Sequence, residues 1–133
     1  MWHGILDSAD CWIMHREHWA PAFILVRQGY DVWLPNSRGN KYSKKHQTLE
    51  LDSKEFWDFD FEHMGTYDIP AVIDYVKKKT RMDKVAYIGH SQGTSQMFYA
   101  LAENEDYFTE NLAAFIALGP VLNLTNCGSE LIQ

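Results

Sequence analysis

Residues 84–96 read KVAYIGHSQGTSQ, and the fold follows from how this stretch is read. Four apolar residues, Val85, Ala86, Tyr87 and Ile88, run straight into Gly89-His90-Ser91-Gln92-Gly93, and a helix-compatible segment follows. The pattern is G-x-S-x-G, a nucleophile elbow, in which a strand turns sharply into a helix and leaves a serine hydroxyl exposed at the sheet edge. Such a turn forces Ser91 into a strained backbone conformation. Neighbouring chain passes so close that the positions two before and two after tolerate almost no side chain. Gly89 and Gly93 occupy those positions. At ~7% for each residue type, chance places this pattern in a chain of 133 residues about 4% of the time. A glycine-rich turn with an incidental serine is therefore the weaker reading.

Working outward, the 133 residues suffice for one domain with a single core, residues 1–133. With 46% hydrophobic and 14% aromatic residues, the composition is that of a folded chain. A net charge of −6 and a pI near 5.4 argue against a nucleic-acid footprint. No apolar run approaches the ~18 residues of a membrane span. Met1-Trp2-His3-Gly4 has no basic region followed by an apolar core, so no signal peptide is visible in the chain. Cys11 and Cys127 lie in neither a metal-ligand nor a redox spacing and read as structural or free thiols. No metal, cofactor or protein partner is expected. Asn123-Leu124-Thr125 is a glycosylation sequon, weak support for a secretory context because such triplets are common by accident.

Strands and helices alternate along the chain. Residues 7–27 read as a polar loop and then a helix, closed by Gly29 in the C-cap region. Tyr30–Leu34 reads as a short strand stopped by Pro35, and residues 36–51 as a polar, irregular stretch. Lys41, Lys44, Lys45 and His46 read as a solvated loop face. Phe56–Phe61 alternates aromatic and acidic residues and fits either a short extended piece or a helix start. Asp68 is placed to cap a helix with Pro70 in its first turn. Ile69, Val72, Ile73 and Val76 then form one apolar stripe, and Lys77–Lys79 sit at the negative end of the helix dipole. A strand to Gly89, a helix from about Gln92 to Ala102, an acidic connection over 104–111 and an apolar strand Ala113–Leu118 complete the pattern. Such alternation gives βαβ units and a parallel sheet with flanking helices, an α/β fold.

Beyond the elbow, His3-Gly4, DVWLPNSRGN (31–40), KHQTL (45–49), EFWDF (55–59), YDIPAVIDYVKKKT (67–80), GHSQGTSQ (89–96) and ALGPV (117–121) follow one another in a recognisable order. In this the chain resembles the acid lipases, similar to lysosomal acid lipase and gastric lipase, within the α/β-hydrolases. Pro35 departs from the pattern, where many members carry glycine. The resemblance implies a partial α/β-hydrolase fold without the N-terminal strands, the lid or the C-terminal strands. It also implies hydrolysis of fatty-acyl esters, triacylglycerols or steryl esters, at a lipid–water interface and acidic pH, in a lysosomal or secreted protein.

The elbow makes Ser91 the candidate nucleophile, and its geometry offers the N–H of Gln92 to the oxyanion. The resemblance supplies Ile5, after His3-Gly4, as the second donor. His90 should point away from Ser91, in a packing role. The triad order of this fold is serine, acid, histidine. Ser91 is followed by Glu103, Glu105, Asp106, Glu110 and Glu130 but by no histidine. The upstream His3, His15, His18, His46 and His63 read as loop or helix-surface residues. Two expectations result: a piece of an acid lipase, inactive by itself, or a short non-catalytic product that binds a lipid or a partner.

Overall fold

A computed structural model describes residues 1–123, 125 and 128. Cys127 and Glu130, weighed above, lie outside the described residues. A 3₁₀ turn at Ala9–Trp12 precedes α1 (Pro21–Arg27), and a second 3₁₀ turn at Glu55–Trp57 precedes α2 (Phe61–His63). A π-helical turn, Met64–Asp68, joins α2 to α3 (Ile69–Thr80). The order then runs β1 (Val85–His90), α4 (Gln92–Glu103), α5 (Glu105–Asn111) and β2 (Leu112–Leu118).

β1 and β2 pair in parallel, from Val85 beside Leu112 to His90 beside Leu118, with an irregularity between Val85 and Ala86. On the other side of β1, Trp2 makes a single parallel bridge with Gly89. Its N–H donates to the Ile88 carbonyl at 2.7 Å, and its own carbonyl accepts from His90 N–H at 3.0 Å. The core is Trp2, Ile69, Ile73, Tyr87, Met97, Ala100 and Phe108, with Trp2 stacked on Tyr87. Ile69, Ile73 and Val76 of the expected stripe are buried, and Val72 packs partly buried against them. One face of α3 is thereby laid on the sheet.

Four readings are corrected. Tyr30–Leu34 forms no strand; its contact with the sheet region is Met1 nitrogen donating to the Trp33 carbonyl at 2.8 Å. A strand needs a neighbouring row of backbone groups, and among the described residues this bond is the one backbone contact of the stretch toward β1. Asp68 is no cap: it is itself helical (φ −72°, ψ −44°), because the helical run begins at Phe61, with Asp60 accepting from Glu62 and His63 N–H. The acidic connection is instead α5, capped by the Asn104 side chain, with Glu105 and Asp106 in its first turn, where the helix dipole favours them. Within 7–27 the helix is confined to Pro21–Arg27. Its end matches the Gly29 reading: Gly29 has φ +90° and donates to Val26, and Tyr30 donates to Leu25, a Schellman pair.

Candidate active site

Ser91 stands at the junction of β1 and α4 with φ +51° and ψ −117°, a region that non-glycine residues rarely enter. Its N–H donates to the Leu118 carbonyl at 3.0 Å, tying the turn to the end of β2. Its carbonyl accepts from both Thr94 N–H (2.8 Å) and Thr94 Oγ1 (2.6 Å). Thr94 is fully buried, so the turn is gripped from the inside.

The two elbow glycines have steric reasons. A Cβ on Gly89 would lie 2.6 Å from the Gly93 carbonyl oxygen, and one on Gly93 would lie 2.9 Å from the carbonyl oxygens of both Trp2 and His3. The first keeps the strand against the helix, and the second lets the Trp2-His3 chain pass over it. Tyr87 adds a brace beneath: its hydroxyl donates to the Gly93 carbonyl at 2.8 Å and accepts from Gln96 Nε2 at 3.1 Å.

His3-Gly4 runs directly against the turn. A Cβ on Gly4 would sit 3.2 Å from Ser91 Cβ and 3.3 Å from His90 Nδ1. His3 is buried, and its Nε2 accepts from Ser37 N–H (3.1 Å) and from Asn40 Nδ2 (3.2 Å). Its Nδ1 must then carry the proton and donate to the Gly4 carbonyl at 2.8 Å. Trp2 Nε1 donates to Ser37 Oγ, and Ala9 N–H to Asn36 Oδ1. The NSRGN loop is thus stitched to residues 2–9, which positions Ile5. Among the described residues no acceptor takes the backbone N–H of Ile5 or of Gln92; Gln92, first residue of α4, has no intrahelical acceptor by position. Both residues line a cleft of about 610 Å³ with His3, Leu6, Met14 and Arg38.

None of the histidines with described partners serves Ser91. His3 is committed as above; His46 Nδ1 accepts from Thr48 and Leu49 N–H; His63 pairs with Asp60. His90 is exposed and packs edge-on against Trp12. Cys11 is no rival nucleophile, because burial and then the Asp7 carboxylate push its thiol up to about 12. Among the described residues no cluster of His, Cys, Asp and Glu could hold a metal ion.

A family model described as the α/β hydrolase fold matches residues 1–130. The chain belongs to the α/β hydrolase fold family. The chain is similar to human lipase member J, 45% identical over 131 residues, which is 98% of the chain and 36% of that protein. Human lysosomal acid lipase/cholesteryl ester hydrolase is 40% identical over 131 residues, 98% of the chain and 33% of the relative. Mouse gastric triacylglycerol lipase is 46% identical over 119 residues, 90% of the chain and 30% of the relative. The chain therefore spans about a third of the length of the relatives it matches. The likeness to acid lipases read from the motifs extends over nearly all of the chain.

Two roles were missed in the sequence. Gln96 was legible: Gly93, Gln96, Met97 and Ala100 share the buried face of α4, so a polar residue on that face demanded a partner. His3, read as a surface residue and noted only for the donor that follows His3-Gly4, is instead buried; no local signal marked its bonds, because its partners lie 34 and 37 residues away.

Proposed function

We propose that this chain is the nucleophile-bearing part of a serine ester hydrolase acting on fatty-acyl esters. The observation that carries the reading is the strained Ser91 at the β1–α4 junction, with Gly4 packed against it. Ser91 Oγ attacks the acyl carbonyl, and the charge that develops on oxygen is met by the N–H groups of Gln92 and Ile5. The alcohol leaves, an acyl-serine remains, and water releases the fatty acid. Names among the relatives, a triacylglycerol lipase and a cholesteryl ester hydrolase, support triacylglycerols or steryl esters as substrates, and a lysosomal or secreted setting. The apolar mouth supports a lipid–water interface: Leu6 is 85% and Met14 71% exposed beside the cleft. Among the described residues no helix is long and apolar enough to cross a membrane.

The serine requires a base, and no histidine follows Ser91 within these 133 residues. That observation favours a second reading for the 133-residue polypeptide by itself, a non-catalytic binder of lipid or partner. The test is hydrolysis of emulsified long-chain triacylglycerol and cholesteryl ester. The whole protein that carries this chain should turn over at least one, and Ser91→Ala should lose activity on the order of 10⁶-fold. The 133-residue polypeptide should show little or no turnover. Full activity in Ser91→Ala would contradict the assignment of the nucleophile. Lipase-level turnover by the short polypeptide, abolished by Ser91→Ala, would mean that an upstream histidine is the base.

A further inference from the structure

The segment leaving β2 carries a motif that ester hydrolysis does not use. Asn123-Leu124-Thr125 is followed by Asn126, so no proline interrupts or follows the sequon. Asn123 and Thr125, the two residues the acceptor chemistry needs, are both described and both exposed. Thr125 turns both of its donors onto the Asn123 amide: its N–H donates to Oδ1 at 2.7 Å, and its hydroxyl donates to the same oxygen. Oδ1 is thus held by the threonine, while the amide nitrogen Nδ2 has no hydrogen-bond partner among the described residues. Upstream the segment is fastened to the first turns of α4, where Val121 N–H donates to Thr94 Oγ1 at 3.0 Å and Val121 carbonyl accepts from Ser95 Oγ at 2.8 Å. A group on Asn123 therefore hangs two residues beyond an anchored point and displaces no core side chain.

We infer that Asn123 is an N-glycan acceptor site. In the transfer, Asn123 Nδ2 bonds to the anomeric carbon of a lipid-diphosphate-linked oligosaccharide. The bond from that carbon to the phosphate oxygen breaks, the lipid diphosphate leaves, and a base of the glycosyltransferase takes the amide proton. The inference rests on the lysosomal or secreted setting proposed above, since the donor and the transferase act in the secretory route.

The experiment expresses the whole protein in a secreting eukaryotic cell, with its own N-terminus and, in parallel, behind a cleavable secretory signal. Peptide N-glycosidase F in heavy-oxygen water marks each glycosylated asparagine for mass spectrometry. The expected result is a heavy-oxygen mark at residue 123, absent in Asn123→Gln and in Thr125→Ala and retained in Thr125→Ser. A mark found only behind the supplied signal supports the acceptor site and overturns the proposed compartment instead. An unmarked Asn123 in signal-cleaved protein recovered from the medium overturns the inference.

Discussion

The backbone of Ser91 sits where most residues pay about 1–3 kcal/mol, and three hydrogen bonds hold it there: its N–H to Leu118 and two from Thr94 to its carbonyl. The glycines on either side are what let those bonds form. Gly93→Ala would push a methyl to 2.9 Å from the Trp2 and His3 carbonyl oxygens, which are backbone and cannot rotate away. Overpacking of this kind costs about 1–3 kcal/mol, and here it also shifts Gly4 against the serine. Gly29→Ala is the comparison: nothing lies within 4 Å of its Cβ position, so only the strain at φ +90°, about 1–2 kcal/mol, applies. In the whole protein, Gly93→Ala should depress the denaturation midpoint at least as much as Gly29→Ala and also depress ester hydrolysis, which Gly29→Ala should spare. Equal activity in the two variants would contradict the close-approach account. The Gly89 part of the site was legible in the sequence because its exclusion against Gly93 acts over four residues; Gly93 was marked by the G-x-S-x-G pattern, although the backbone it makes room for lies about ninety residues away. The His3–Ser37 contact was not legible, because nothing in the thirty-three intervening residues states which loop closes on which.

Between elements, the ion pair of Arg38 with Asp68 joins the NSRGN loop to the start of α3. Arg38 Nε donates to both Asp68 carboxylate oxygens, at 2.9 and 3.0 Å, and a terminal guanidinium nitrogen donates to Oδ1. The Asp68 side chain is only 17% exposed, so the pair is sheltered from solvent. Hydrogen bonds to charged groups are worth about 1.5–3 kcal/mol, and removing the carboxylate also strands the guanidinium. Asp68→Ala in the whole protein should therefore lose roughly 1–3 kcal/mol of stability. A denaturation midpoint unchanged by Asp68→Ala would show that solvent screens the pair. The sequence offered Asp68-Ile69-Pro70 as a helix start, since Asp before Pro is the usual local signal. The signal misled because Asp60, eight residues earlier, caps the run first, and the π turn carries the helix through Asp68. The stripe on α3 and the β1–α4 junction were legible because their periodicity is local; the missing ladder at Tyr30–Leu34 depends on a neighbour no periodicity reveals.

At the scale of the molecule, large apolar side chains remain at the surface of the described residues. Trp19 (70%), Leu6 (85%), Ile116 (46%) and Leu118 (41%) are among the exposed apolar side chains, the last two on β2, which has β1 as its one described ladder partner. Sheet edges of this composition template aggregation. A polypeptide of these 133 residues should thus aggregate or lack a cooperative unfolding transition by size exclusion and chemical denaturation. A soluble monomer with one sharp transition would show a self-sufficient small domain. The central claim, that Ser91 is the nucleophile, is tested most directly by covalent labelling of the whole protein with a long-chain fluorophosphonate, followed by peptide mass spectrometry. The account predicts one phosphonylated residue, Ser91, and no labelling of Ser91→Ala; a label on any other residue, or undiminished labelling of Ser91→Ala, would contradict it.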